Sequence, residues 1–209
     1  MYKQKVVLGV APTKRSFLSM EEAKRQKDKF MARIRAIKPE AVEIIDVDEL
    51  CENGIMWDTA KIPAVVEKFR RVGIDALFLP FCDFGEEQVV AQIAGAFKVP
   101  TLVWGARDER PNSDEARGRD TQCGMFAATK VLRRYGVKYS YIWNCETESD
   151  DFAKGYENFI RVAAVLKALK NLRVAKIGER PVPFMSVMTN EANLINRIGI
   201  TTVPISPFA

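Results

Sequence analysis

Five short apolar runs, residues 6–10, 42–47, 76–81, 101–104 and 139–143, alternate along the chain with longer stretches of helical period. Runs this short and this apolar predict strands buried on both faces of a sheet. Between them, Ser19-Met20-Glu21-Glu22 has the spacing of a capping box and predicts a helix that ends near Ile37, ahead of Pro39. A second helix is expected from about Ala60, with Val65, Phe69 and Val72 on one face and Gly73 closing it. Val89, Val90, Ile93, Ala94 and Phe97 form the core stripe of a third. Further helices are predicted over residues 121–135 and 149–172.

Strands and helices alternating in this way imply parallel βαβ units. The predicted fold class is α/β: a flavodoxin-like, doubly wound, five-stranded parallel sheet of order 2-1-3-4-5. Its ligand crevice is expected between strands one and three. The loops placed there are residues 11–18 and 82–87. The remaining segment reads as strand (173–178), helix (190–198) and strand (201–205). A single βαβ unit cannot close a core. The chain is therefore expected to comprise a first domain, residues 1–172, and the opening piece of a second α/β domain, residues 173–209, as a fragment of a longer protein.

Composition narrows the function. The 209 residues are 47% hydrophobic and 28% charged, ordinary for a globular protein. No apolar run approaches the roughly 20 residues needed to span a bilayer. The N-terminus shows no signal-peptide pattern, so a cytoplasmic location is expected. Cys51, Cys82, Cys123 and Cys145 form no CxxC pair and read as free thiols. The chain has no histidine, which removes the usual neutral-pH base and the commonest metal ligand. Net charge is +5, but the basic segment from Lys24 to Lys38 falls on a predicted helix that also carries Glu21, Glu22 and Asp28, so a solvated helix face is expected there rather than a nucleic-acid surface.

The loops carry the candidate chemistry. After the third strand, Gly85 is followed by Glu86 and Glu87, which complement the helix dipole and oppose a phosphate. No GxGxxG or Walker sequence appears, so nucleotide or flavin binding is not expected. Cys82, Asp83 and Phe84 sit at the C-terminal end of strand three, either as crevice residues or as a buried thiol beside a helix-capping aspartate. Cys145 and Glu146 are a weaker copy after strand five. The loop from Gly105 to Asp120 sets Arg107, Arg110, Arg117 and Arg119 against Asp108, Glu109, Asp114, Glu115 and Asp120. Such interleaving suits sugar hydroxyls, which both donate and accept; a solvated loop has the same composition. Lys14 and Arg15 follow strand one and face either the crevice or solvent.

Gly9-Val10-Ala11-Pro12, the Pro80 to Glu87 loop, Trp104-Gly105 with Glu109-Arg110-Pro111, and Pro183-Phe184-Met185-Ser186-Val187-Met188 together resemble the N-terminal region of the L-fucose/L-arabinose isomerase family. The resemblance implies a three-domain aldose–ketose isomerase that moves a proton between C1 and C2 through an enediol. It implies a divalent metal, usually manganese, held by carboxylates and a histidine outside this chain, so no cofactor, metal ligand or catalytic residue is expected within it. It also implies a homo-oligomer in which the first domain helps close a neighbour's sugar site, with Arg15, Cys82, Asp83 and Phe84 touching substrate. Arg107 and Glu109 complete the candidate sugar-binding set. Cys82 stands where fucose isomerases tend to carry tryptophan, and the loop after Trp104 is longer. The fragment alone is expected to be inactive, with neither nucleic acid nor membrane as partner. Two alternatives stay open: a cofactor-independent racemase or epimerase using Cys82 and Cys145 (or Cys123), and a non-catalytic sugar-binding module.

Overall fold

The computed structural model describes residues 5–110, 118–170 and 172–207. Strands β1 (Val6–Val10), β2 (Val42–Ile45), β3 (Ala76–Phe81), β4 (Thr101–Gly105) and β5 (Ser140–Tyr141) form one sheet in the order β2-β1-β3-β4-β5. All four pairings are parallel, with Leu8 opposite Ala76, Val10 opposite Phe78 and Leu79 opposite Val103. This is the doubly wound arrangement expected, and the order reverses between β1 and β3.

Helices α1 (Met20–Ala36), α2 (Ile62–Val72), α3 (Glu87–Gly95), α4 (Thr121–Arg134) and α5 (Asp150–Leu169) cover both faces. The two-residue period of β3 divides its side chains: Leu77, Leu79 and Phe81 pack with Val65 and Phe69 of α2, Val90 and Ile93 of α3 and Met125 of α4. On the opposite face, Phe78 meets Tyr156 of α5, while Trp104 of β4 meets Phe30 of α1 and Phe152 of α5. β3 is buried at every residue.

Local signals account for the helix ends. Ser19 caps α1 by accepting from the Glu22 N–H at 3.2 Å. The Glu22 carboxylate does not return to Ser19 but takes Arg25 and Gln26 instead, so only half of the expected capping box forms. Gly73 ends α2 in the left-handed region (φ 74°). The predicted fifth strand shortens to two residues, because Asn144 turns its side-chain amide onto the Gly105 carbonyl at 2.9 Å, the acceptor a longer ladder would use.

Packing divides the chain into two compact units, Met1–Ala163 and Ala164–Ala209. In the second, β6 (Arg173–Ile177) and β7 (Thr201–Ile205) pair in parallel, with α6 (Glu191–Ile198) between them in sequence. Asn190 caps α6 by accepting from the Asn193 N–H, and Gly199 ends it at φ 80°.

Candidate functional site

The C-terminal ends of β1 and β3 deliver two loops to the switch point, and backbone bonds join them. The Thr13 N–H donates to the Pro80 carbonyl and the Cys82 N–H to the Thr13 carbonyl, each at 2.9 Å, which extends the β1–β3 ladder past its formal end. The Thr13 hydroxyl accepts from the Glu86 N–H at 2.9 Å. Gly85 lies at φ 72°, and a Cβ there would meet the Phe81 ring at 2.5 Å and the Thr13 methyl at 2.9 Å. The loop therefore requires glycine on both backbone and steric grounds.

Asp83 is the centre of this junction. Its Oδ1 accepts from the Arg15 N–H at 2.7 Å and the Gly85 N–H at 2.9 Å. Its Oδ2 is buried and has no hydrogen-bond partner among the described residues. The side chain is almost fully buried, and that desolvation raises the carboxyl above its ordinary value despite the two backbone donors and the nearby Lys14 and Arg15 charges. Asp83 is not the helix cap that its sequence position also allows. The residue preceding α3 is Glu86, and Asp83 binds the opposite loop instead.

Arg15 lies over the Phe84 ring, 4.6 Å from its centroid. Its guanidinium donates to Glu86 at 2.8 Å and to Glu87 at 3.3 Å. Arg15 retains 18% side-chain exposure and Glu86 19%, so donors and acceptors sit together at a half-open surface. Lys14 points the other way. Its ammonium is buried, donates to the Arg15 and Ser16 carbonyls, and stands 5.9 Å from the centre of the Trp57 ring. Cys82 lies beneath the loop with no exposed surface, and burial together with the Asp83 charge pushes its thiol well above the ordinary value. A thiol so placed neither reaches a substrate carbon nor ionises readily, which counts against the two-thiol racemase.

The β4–α4 loop forms a separate polar cluster. Arg107 is exposed and lies 3.9 Å from Glu146, while Glu109 pairs with Arg25 of α1 at 3.1 Å. Asp114, Glu115 and Arg117 lie outside the described residues. Arg119 is buried, donates to the Arg107 carbonyl at 2.6 Å, and has its Nε 3.9 Å from both Glu22 and Asp108. The Thr121 hydroxyl joins the Ala106 carbonyl to Asp108. Of the six candidates, the fold thus gathers Arg15, Asp83 and Phe84 around one junction and places Cys82 below it. Arg107 and Glu109 belong to the neighbouring cluster.

A family model described as the N-terminal domain of fucose/sulfoquinovose isomerase matches residues 9–170. The chain belongs to this family. Two curated sulfoquinovose isomerases, from Priestia aryabhattai and from Priestia megaterium, are each 22% identical to it over 152 residues. The match covers 73% of this chain and 33% of each relative, so the chain spans about a third of the length of the relatives it matches. Among solved structures, azoreductase AzrA aligns with a TM-score of 0.34 at 11% identity, covering 77% of this chain and all of that one. A solute-binding protein from Bacillus halodurans, solved with myo-inositol, aligns with a TM-score of 0.32 at 12% identity, covering 97% of this chain and 93% of that one. Overlap this slight has no bearing on function.

Sequence reasoning missed Thr13, whose hydroxyl orders the loop, and named Arg119 without separating it from the other three arginines of its charge-rich segment. It also missed Trp57, which lies between α2 and a β2 that signalled nothing but a strand. Among the described residues, no three His, Cys, Asp or Glu side chains come together to hold a metal ion. The nearest carboxylates, Glu86 and Glu87, are already bound to Arg15, so these residues do not fit a metal site. No helix among the described residues is long and apolar enough to cross a membrane.

Proposed function

We propose that this chain is the N-terminal part of an aldose–ketose sugar isomerase, with residues 1–172 as its first domain and 173–209 opening its second. In this reading the domain helps close the substrate site and takes part in a homo-oligomer. The supporting observation is the Arg15–Asp83 junction: a family member places a guanidinium, two carboxylates and an aromatic ring at the switch point of its sheet. Arg15 donates to sugar hydroxyls, Glu86 and Glu87 accept from them, and Phe84 offers an apolar face. Asp83 fixes the loop that carries Arg15 and stays behind it as a positioning residue.

Both cations here have partners within the chain: Arg15 two carboxylates, Lys14 two carbonyls. Their chemistry favours hydroxyl recognition over capture of a bare anion. A divalent metal such as manganese is part of the proposal for the full-length protein, held by residues outside this chain. The reaction chemistry belongs there as well, and the domain alone has no turnover. The buried thiols of Cys51, Cys82 and Cys145 fit a cytoplasmic location.

The test is full-length protein supplied with Mn²⁺ and offered L-fucose, L-arabinose, sulfoquinovose and their ketoses. Interconversion of at least one aldose–ketose pair is expected. Failure on the whole panel, with folded oligomer and bound metal verified, overturns the reading.

A further inference from the structure

A cavity adjoins the same junction on its β2 side. The segment between β2 and α2 encloses about 260 Å³, with Cys51 and Ile55 at its base and Trp57, Asp58, Lys61 and Glu52 around it. Backbone bonds tie it to the β1–α1 loop: the Met56 N–H donates to the Pro12 carbonyl at 2.7 Å, and the Lys14 N–H to the Met56 carbonyl at 3.1 Å. Thr13 bridges to Met56 on one side and Phe81 on the other. One residue thus separates this cavity from the Asp83 loop, and the Lys14 ammonium stands against the Trp57 ring.

The chemistry of the wall selects the ligand. Among the lining residues two carboxylates stand against one ammonium, and the nearby Lys14 ammonium is already bound to main-chain carbonyls, which disfavours an anion. The described residues around it form no metal-binding group. The Cys51 thiol is pushed up to about 11 by burial and lies 3.0 Å from the Met56 sulfur, so the base is apolar and unreactive. The volume falls just below the roughly 300 Å³ at which drug-sized pockets begin. An aromatic plane beside carboxylate acceptors and an ammonium donor is what a ring with an apolar C–H face and several hydroxyls requires.

We propose that this cavity is a subsite for a neutral monosaccharide ring, stacked on Trp57 with its hydroxyls on Asp58, Glu52 and Lys61. The proposal deepens the sugar-isomerase reading and rests on it for the choice of ligand. It adds a second, non-reacting place where the same class of molecule is held.

The probe is methyl α-L-fucopyranoside, whose blocked anomeric carbon prevents it from being isomerised. Full-length protein labelled with ¹⁵N-tryptophan is titrated with it, the Trp57 indole signal being assigned by its loss in Trp57→Phe. A saturable shift of that signal is expected, with affinity weakened about tenfold in Trp57→Ala and severalfold in Asp58→Asn, a variant that retains the cap on Ala60. A Trp57 signal unmoved at saturating glycoside, or an Asp58→Asn affinity equal to wild type, overturns the proposal. Isomerase turnover with an unmoved Trp57 sinks the subsite alone. A shifting Trp57 in a protein without turnover sinks the isomerase reading and leaves the subsite standing.

Discussion

The Asp83 carboxylate accepts the backbone N–H of Arg15 at 2.7 Å, joining residues 68 positions apart across the β1–β3 boundary. This bond makes two loops into one surface. It also leaves Asp83 with a second, buried oxygen that no neighbour among the described residues satisfies.

Removing the carboxylate therefore separates two roles. Asp83→Ala strands the Arg15 and Gly85 N–H groups and should cost about 1–3 kcal/mol of stability. Asp83→Asn keeps an acceptor oxygen and removes the buried charge, so it should cost less than the alanine variant at pH 7. Urea denaturation of the three proteins checks this; equal losses for both variants would contradict it.

The same residue imposes a pH dependence. Its folded-state carboxyl is raised above the ordinary 3.8, so the folded protein holds that proton more tightly than the unfolded chain. The Asp83 contribution is fully present below about 3.8 and is lost as pH rises through the raised folded value. The stability of Asp83→Asn relative to wild type should accordingly improve from pH 4 towards neutrality. A difference that stays flat across that range would show that the carboxyl is not raised.

Gly85→Ala tests the loop's backbone. Adopting a left-handed conformation costs a non-glycine residue roughly 1–2 kcal/mol, and overpacking against Phe81 and Thr13 typically adds about 1–3 kcal/mol. A fall in thermal midpoint with loss of the Arg15–Glu86 geometry is expected in the crystal structure of the variant. An unchanged midpoint would mean that the loop is looser than described.

Arg15 should matter to ligand far more than to folding. Its ion pairs are partly exposed, and pairs of that kind contribute about 0–1 kcal/mol. Arg15→Ala in the full-length protein should therefore leave the thermal midpoint nearly unchanged and raise KM for sugar about tenfold or more. An unchanged KM would remove Arg15 from the site.

Thiol labelling separates the isomerase from the racemase alternative. Cys123 is exposed, whereas Cys51, Cys82 and Cys145 are buried. Under native conditions an aromatic disulfide reagent should modify Cys123 rapidly and Cys82 only on unfolding. Rapid native labelling of Cys82 would revive the two-thiol mechanism.

The strands and their order were legible because parallel strands buried on both faces leave unbroken apolar runs, as β3 does. The switch-point loops followed from that order. Position alone could not divide the loop residues between surface and support. Cys82 and Asp83 are adjacent, yet both side chains turn inward, while Arg15 and Phe84 reach the surface together. Lys14 was hidden for the opposite reason, since its ammonium is satisfied by main-chain carbonyls that leave no sequence signal. The end of β5 was set by a single side-chain amide, that of Asn144, which no periodicity reveals.

Solvent-proton incorporation decides whether the full-length protein is an aldose–ketose isomerase. Full-length protein with Mn²⁺ is incubated in D₂O with L-fucose and sulfoquinovose, and the recovered sugars are read by NMR. Deuterium is expected at C2 of the recovered aldose or C1 of the ketose with at least one of these sugars, lost in the metal-free protein and reduced in Arg15→Ala. Folded, metal-loaded protein that leaves both positions fully protiated would contradict the isomerase reading.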